Sequence, residues 1–151
     1  MARIDFAFGA TDRLLQACLT TSRQYQAGQQ LLIICSRTET LRQLDALLWT
    51  QSDTSFIPHV WADDPLAAST PVVLAGPGHI DECISSAGPT TWLLNLDDAC
   101  PNDLGRIERV LEIVSDDPTD KDAARTRWRQ YQAAGHTLKA HSLVSASDDN
   151  R

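Results

Sequence analysis

The sequence lacks most of the motifs that mark enzymes and cofactor-binding proteins. No stretch matches GxGxxG, GxxxxGK[ST], GxSxG or HExxH, and the four histidines form no ligand pattern. The glycine-containing stretches at 9–12 (GATD) and 75–81 (AGPGHID) therefore indicate ordinary turns rather than phosphate loops. We expect a protein without a functional nucleotide-binding loop, cofactor, metal or catalytic group of its own.

The cysteines are poorly spaced for metal binding. The cysteines are Cys18, Cys35, Cys83 and Cys100, and no two of them form a CxxC pair. The N-terminus has no apolar signal segment, and no window approaches ~18 uncharged apolar residues. We expect a reduced, soluble, cytoplasmic protein without disulfides or membrane contact.

Length and charge limit the remaining function classes. A chain of 151 residues predicts one domain. The formal net charge of -7 disfavours wholesale coating of nucleic acid, because the protein as a whole would repel phosphate.

Apolar periodicity predicts a β-α-β-α beginning. The predicted elements are a strand over 2–8, a helix over 11–28, a strand over 29–35, and a helix that starts at a capping-box pattern (Ser36 to Glu39) and ends near Trp49. Further strands are predicted over 71–76, 91–96 and 107–114. Strands separated by helices predict an α/β fold with a mostly parallel sheet.

The segment 115–135 is the best-delimited helix. Asp117 is a suitable N-cap, Pro118 fits the first helical position, and Gly135 fits the end. We expect 136–151 to be partly ordered at first, with 141–151 forming a flexible tail.

This helix carries a concentration of positive charge. Lys121, Arg125 and Arg129 fall at i, i+4 and i+8 and form one line, here called the basic ridge, with Trp128 beside it. Arg127 adds a further positive charge. Three interpretations remain open: a solvated helix face, a site for single-stranded nucleic acid in which Trp128 stacks on bases, and a site for an acidic peptide. A single ridge on an acidic protein favours the short acidic peptide.

Two other features allow alternative interpretations. The segment 46–61 crowds Trp49, Phe56, Pro58 and Trp61 where a loop is expected, and either an exposed contact site or local burial would explain it. The Asp97–Asp98 pair follows a strand and could hold Mg²⁺, although aspartates also favour turns and caps.

In combination, three stretches resemble the chi subunit family of bacterial DNA polymerase III. They are LDALLW (44–49), SFIPH (55–59) and the pattern RxRWRxYxxAGxxL, which runs here from Arg125 to Leu138. The resemblance implies a single Rossmann-like domain over 1–140 without a working nucleotide site. It also implies a non-catalytic accessory protein of the clamp-loader assembly.

The resemblance implies two binding surfaces as well. One would bind the acidic C-terminal tail of single-stranded DNA-binding protein, which ends in Pro-Phe, so that contact with DNA is indirect. Its implied residues are Val114, Lys121, Arg125, Trp128, Arg129 and Leu138. The other would bind the psi subunit, through Trp49, Phe56, Pro58 and His59. Gln132 departs from the pattern, because another basic residue is expected there, and the region 62–90 also differs.

Overall fold

The computed structural model describes residues 2–50 and 57–143. The strands within these residues are β1 (Arg3–Ala10), β2 (Gln30–Ile34), β3 (His59–Trp61), β4 (Val72–Ala75), β5 (Thr91–Asn95), β6 (Arg109–Ser115) and β7 (Thr137–Ser142). The helices are α1 (Arg13–Gln26), α2 (Thr38–Thr50), α3 (Ile80–Ser86) and α4 (Pro118–Ala133), with a 3-10 turn at Ala67–Ser69.

The strands form one sheet in the order β3-β4-β2-β5-β6-β1-β7, and every pairing among the described strands is parallel. Helices α1 and α2 pack on one face, and α3 and α4 pack on the other. Along β2, Leu31 and Ile33 join the first core, whereas Leu32 and Ile34 join the second. Apolar residues on both faces are typical of a central parallel strand covered by helices on each side. The parallel sheet with helices on both faces confirms a Rossmann-like α/β fold.

The predicted ends of α4 are confirmed. The Asp117 carboxylate accepts a hydrogen bond from the Thr119 N–H at 3.4 Å, and Pro118 is the first helical residue. Gly135 follows the helix with a φ of +88°, a left-handed conformation that favours glycine. The predicted capping box at 36–39 is wrong in detail. Helix α2 begins at Thr38, and the Ser36 hydroxyl donates to Asp97 at 2.8 Å instead.

Three elements have no counterpart in the sequence-based prediction: β3, α3 and β7. Strand β3 has three residues and α3 has seven, and β3 and β7 form the two edges of the sheet, where apolar patterning is weakest. Strand β7 pairs with β1 in a register that places Leu138 beside Ile4. It continues to Ser142, so ordered structure enters the segment expected to be a tail, and residues 144–151 lie outside the described residues.

The first core predicts a test of the fold. Leu44 on α2 is fully buried, whereas Leu19 on α1 is 48% exposed. Leu44→Ala is expected to lower the free energy of unfolding by about 2–5 kcal/mol, because it removes buried methyl groups and leaves a cavity. Leu19→Ala is the matched control and should change stability little. Urea unfolding curves of equal midpoint for the two variants would contradict the packing described.

Candidate functional site

Helix α4 is fixed to the sheet by a buried ion pair. The Arg127 Nε lies 3.0 Å from Glu112 Oε1, and both side chains are fully buried. Glu112 also accepts hydrogen bonds from the Tyr131 hydroxyl at 2.7 Å and from the Asn95 amide at 2.8 Å. Arg127 is therefore a core residue, and its charge is not available at the surface of α4.

The surroundings of Glu112 explain why this charge can be buried. Burial raises the pKa of the Glu112 carboxyl, while the Arg127 charge and the hydrogen bonds from Tyr131 and Asn95 act in the opposite direction. Burial and the neighbouring Glu112 also raise the pKa of Tyr131, which keeps its hydroxyl protonated and able to donate. The Glu112 carboxylate is thus fully paired, whereas the Arg127 Nη2 has no hydrogen-bond partner among the described residues. The bonds to Glu112 hold the helix in one rotational position.

The basic ridge lies on the opposite side of α4. Lys121, Arg125 and Arg129 are all exposed. Arg125 pairs with Asp122 at 2.7 Å, with side-chain exposures of 63% and 77%. An ion pair this exposed contributes little and can be exchanged for a ligand carboxylate.

Trp128 lies between the ridge and the sheet. It is partly buried, and its ring centroid is 5.1 Å from that of Phe6 on β1. Val114 is 6% exposed and Leu138 is partly buried, and both belong with Trp128 to the second core. The structure therefore gathers the three predicted apolar residues on the α4 side of the sheet.

Val114 and Leu138 do not lie side by side within that core. Val114 is paired across the strands with Phe8, whereas Leu138 is paired with Ile4. Four residues along a strand separate these two rows by roughly 13 Å. Val114 and Leu138 therefore lie in different rows of the sheet, on the two strands that flank β1.

Phe8 is a candidate contact residue that the sequence analysis missed. Its side chain is 43% exposed beside Val114, on the face that α4 covers. The signal was present in the alternation of Ile4, Phe6 and Phe8, which puts all three on one face of β1. Only the structure shows that α4 does not cover Phe8 and leaves it partly exposed.

The second predicted surface is partly exposed. Trp49, near the end of α2, is 56% exposed, and Pro58 is half-buried. Phe56 lies outside the described residues. Ile57 and Trp61 contribute to the first core, so this segment combines an exposed aromatic with local burial.

His59 is buried next to Trp49 and contacts both α2 and the residues before β3. It is 7% exposed, and its ring nitrogens lie 2.8 Å from Asp45 Oδ1 and 2.7 Å from the Ile57 carbonyl oxygen. Its ring centroid is 4.9 Å from that of Trp49. His59 is therefore placed to position Trp49 and the start of β3.

Asp12 and Arg13 lie after the first strand, in the region where a Rossmann fold binds a dinucleotide. The Asp12 carboxylate caps α1 by accepting from the Leu15 N–H at 3.1 Å, where a phosphate would need free amides. The Arg13 guanidinium crosses the carboxyl ends of the strands, donates to the Ile113 carbonyl at 2.9 Å and lies 3.7 Å from Asp120.

The Asp97–Asp98 pair is engaged in the same region. Asp97 accepts from the backbone N–H and hydroxyl of Ser36, and Asp98 pairs with Arg37 and, at 3.8 Å, with Arg13. The hydrogen bond from Arg37 is the main cause that lowers the pKa of Asp98, and burial opposes it. Across residues 2–50 and 57–143, no three His, Cys, Asp or Glu side chains are grouped to hold a metal ion.

These features define a Rossmann-like α/β protein in which Asp12 caps α1 and Arg13 contacts the carboxyl ends of the strands. No helix in the described ranges is both long and apolar enough to cross a membrane. The chain belongs to the DNA polymerase III chi subunit family: the family model described as "DNA polymerase III chi subunit, HolC" matches residues 1–139. The family is by name that of an accessory subunit of a replicative polymerase.

Three curated proteins named DNA polymerase III subunit chi are similar to this chain. The Pseudomonas aeruginosa protein is 29% identical over 149 residues, which cover 95% of this chain and 98% of that protein. The Escherichia coli protein is 26% identical over 121 residues, covering 80% and 79%. The Haemophilus influenzae protein is 22% identical over 127 residues, covering 84% and 85%.

The buried pair predicts a contrast between two arginines of the same helix. Arg127→Ala leaves Glu112 buried without its cation and is expected to cost about 3–5 kcal/mol of unfolding free energy. Arg129→Ala removes an exposed charge and should have little effect. Chemical denaturation measures both. If Arg127→Ala is as stable as Arg129→Ala, the pair does not anchor α4.

Proposed function

We propose that this chain is a non-catalytic, cytoplasmic replisome subunit that binds the acidic C-terminal tail of single-stranded DNA-binding protein and links it, through the psi subunit, to the clamp loader. The observation that carries the proposal is the α4 surface, where three exposed cations flank a half-buried Trp128. Membership of the chi family supports it.

The chemistry of the α4 surface suits an acidic tail that ends in an aromatic residue. Lys121, Arg125 and Arg129 can pair with carboxylates in charge-assisted hydrogen bonds. Trp128 and the exposed Phe8 offer apolar area for the terminal phenylalanine. Charge pairing and aromatic burial together give recognition that neither supplies alone.

The psi subunit would contact the aromatic surface at the other end of the sheet, through Trp49, Phe56, Pro58 and His59. Six strand spacings, about 29 Å, separate β3 from β7. Trp49 lies on the α2 side of the sheet, and the basic ridge lies on the α4 side. Both partners can therefore be bound at once, as a linking subunit requires.

Direct binding of single-stranded nucleic acid through Trp128 and the arginines is the alternative. Arg127 is unavailable for it because it is buried, and one side of the Trp128 ring packs near Phe6. A labelled oligonucleotide, titrated without other proteins, distinguishes the two functions. Tight binding of the oligonucleotide without any response to an acidic peptide would favour the alternative.

The tail proposal predicts the effect of two substitutions on the affinity for a labelled acidic peptide ending in Pro-Phe. Arg125→Ala and Trp128→Ala should each weaken binding at least about tenfold, through loss of a charge-assisted pair or of the apolar contact. Fluorescence polarisation measures the affinity, which should also fall as salt rises.

Arg42→Ala is the matched control for Arg125→Ala, because Arg42 is an exposed helical arginine that pairs with Glu39 on α2. Its peptide affinity should equal that of the parent protein. Thermal denaturation checks that the Trp128 variant is folded. Unchanged affinity in a folded Arg125→Ala or Trp128→Ala protein would remove the α4 surface from the proposal.

The psi proposal predicts that Trp49→Ala abolishes or strongly weakens a complex with the psi subunit, because a large exposed aromatic is a typical anchor of an interface. Isothermal titration calorimetry measures the complex. Leu19→Ala, which truncates an exposed apolar side chain on α1, should leave it intact. If the Trp49→Ala and Leu19→Ala proteins bind the psi subunit equally well, the psi subunit binds to a different surface.

A further inference from the structure

Positive charge is absent from the middle of the chain. No Lys or Arg occurs between Arg42 and Arg106, although this stretch contains nine Asp and Glu residues. All thirteen Lys and Arg residues lie at or outside these two limits. The stretch supplies β3, β4 and α3 in full, so the β3–β4 edge of the sheet carries acids without lysine or arginine.

A groove of about 570 Å³ lies at this edge. It runs on the α3 face of the sheet, between α3 and the first residues of β2 and β4, and its apolar lining includes Leu32, Ala62, Val73, Cys83 and Ala87. Helix α3 has only seven residues and leaves part of these strands uncovered. All five lining residues pack against the second core or belong to it, so the apolar floor of the groove is continuous with the protein interior.

The rim of the groove is acidic. Asp63 and Glu82 line it, and Asp64 and Asp81 adjoin them in the chain. None of these four carboxylates forms an ion pair with another described residue. His79 is the one basic side chain of the lining. The groove thus combines an apolar floor with uncompensated negative charge.

We propose that this groove binds a cationic amphipathic peptide segment of a protein partner. Its apolar side chains would contact Leu32 and Val73, and its lysines or arginines would pair with Asp63 and Glu82. Nucleic acid and acidic peptides are repelled by the same rim. The groove lies on the opposite face of the sheet from Trp49 and away from the basic ridge, so the inference is independent of both surfaces described above.

A short fluorescent helix of leucine and lysine is a suitable probe, with a second peptide in which serine replaces leucine at equal charge. Asp63→Asn with Glu82→Gln is expected to weaken binding of the leucine-lysine peptide by roughly two- to thirtyfold, through loss of two exposed charge pairs. The matched control is Glu39→Gln with Glu108→Gln, which removes the same charge from exposed acids elsewhere. The control should bind as the parent protein does.

Ala87→Trp tests the groove itself, because it fills the apolar floor without changing the charge. It should weaken the leucine-lysine peptide by a similar factor, and the serine-lysine peptide should bind poorly to every variant. Thermal denaturation checks folding. Affinity for the acidic Pro-Phe peptide should stay unchanged in all these variants, so a failure here is distinct from a failure of the proposed function.

Three results would overturn the proposal. Equal loss in the Glu39 and Glu108 control would show unspecific attraction to an acidic protein. Full binding by the Ala87→Trp variant would show that the groove is not used. Self-association of the chain, measured by sedimentation and lost on Asp63→Asn with Glu82→Gln, would assign the groove to a second copy of the protein.

Discussion

The buried ion pair between Arg127 and Glu112 determines how the C-terminal half of this protein presents its surface. Two fully buried charges are costly, and Tyr131 and Asn95 offset this cost by donating hydrogen bonds to Glu112. The Arg127 Nη2 is left without a hydrogen-bond partner among the described residues. Because Arg127 and Tyr131 must face the sheet, Trp128 is turned toward Phe6 and the basic ridge is turned to solvent. The core pair therefore sets the geometry of the candidate peptide site.

The sequence predicts the central elements because their signals are strong. The continuous apolar run of β2 needs cover on both faces, and Asp117, Pro118 and Gly135 delimit α4 by local backbone chemistry. Strand β3 and α3 are short, and β7 is mostly exposed, so these elements carry little apolar periodicity. The burial of Arg127 could not be predicted from residue type, since its partner Glu112 is distant in sequence and arginines are seldom buried.

The candidate sites depend on the family resemblance more than on the pattern of residues. Helical spacing alone predicts the basic ridge. The same spacing would suit an acidic peptide or a nucleic acid, so it does not identify the ligand. The structure adds Phe8 beside Val114 and shows that His59 supports its neighbours. The structure also shows an uneven distribution of charge along the sheet. Cations lie toward β7, and acids without an ion pair among the described residues lie near β3 and β4. Such a protein can approach DNA-bound partners without coating DNA.

The central claim is that the α4 surface receives an acidic tail while the opposite edge stays free. The most direct measurement is a titration of the isotope-labelled protein with the Pro-Phe peptide, followed by amide chemical shifts in NMR. Binding at the α4 surface should shift amides in α4, at the end of β1 and along β7, and leave α2, α3 and β3 unchanged. Shifts centred on Trp49 or on the groove beside α3, with α4 unaffected, would contradict it.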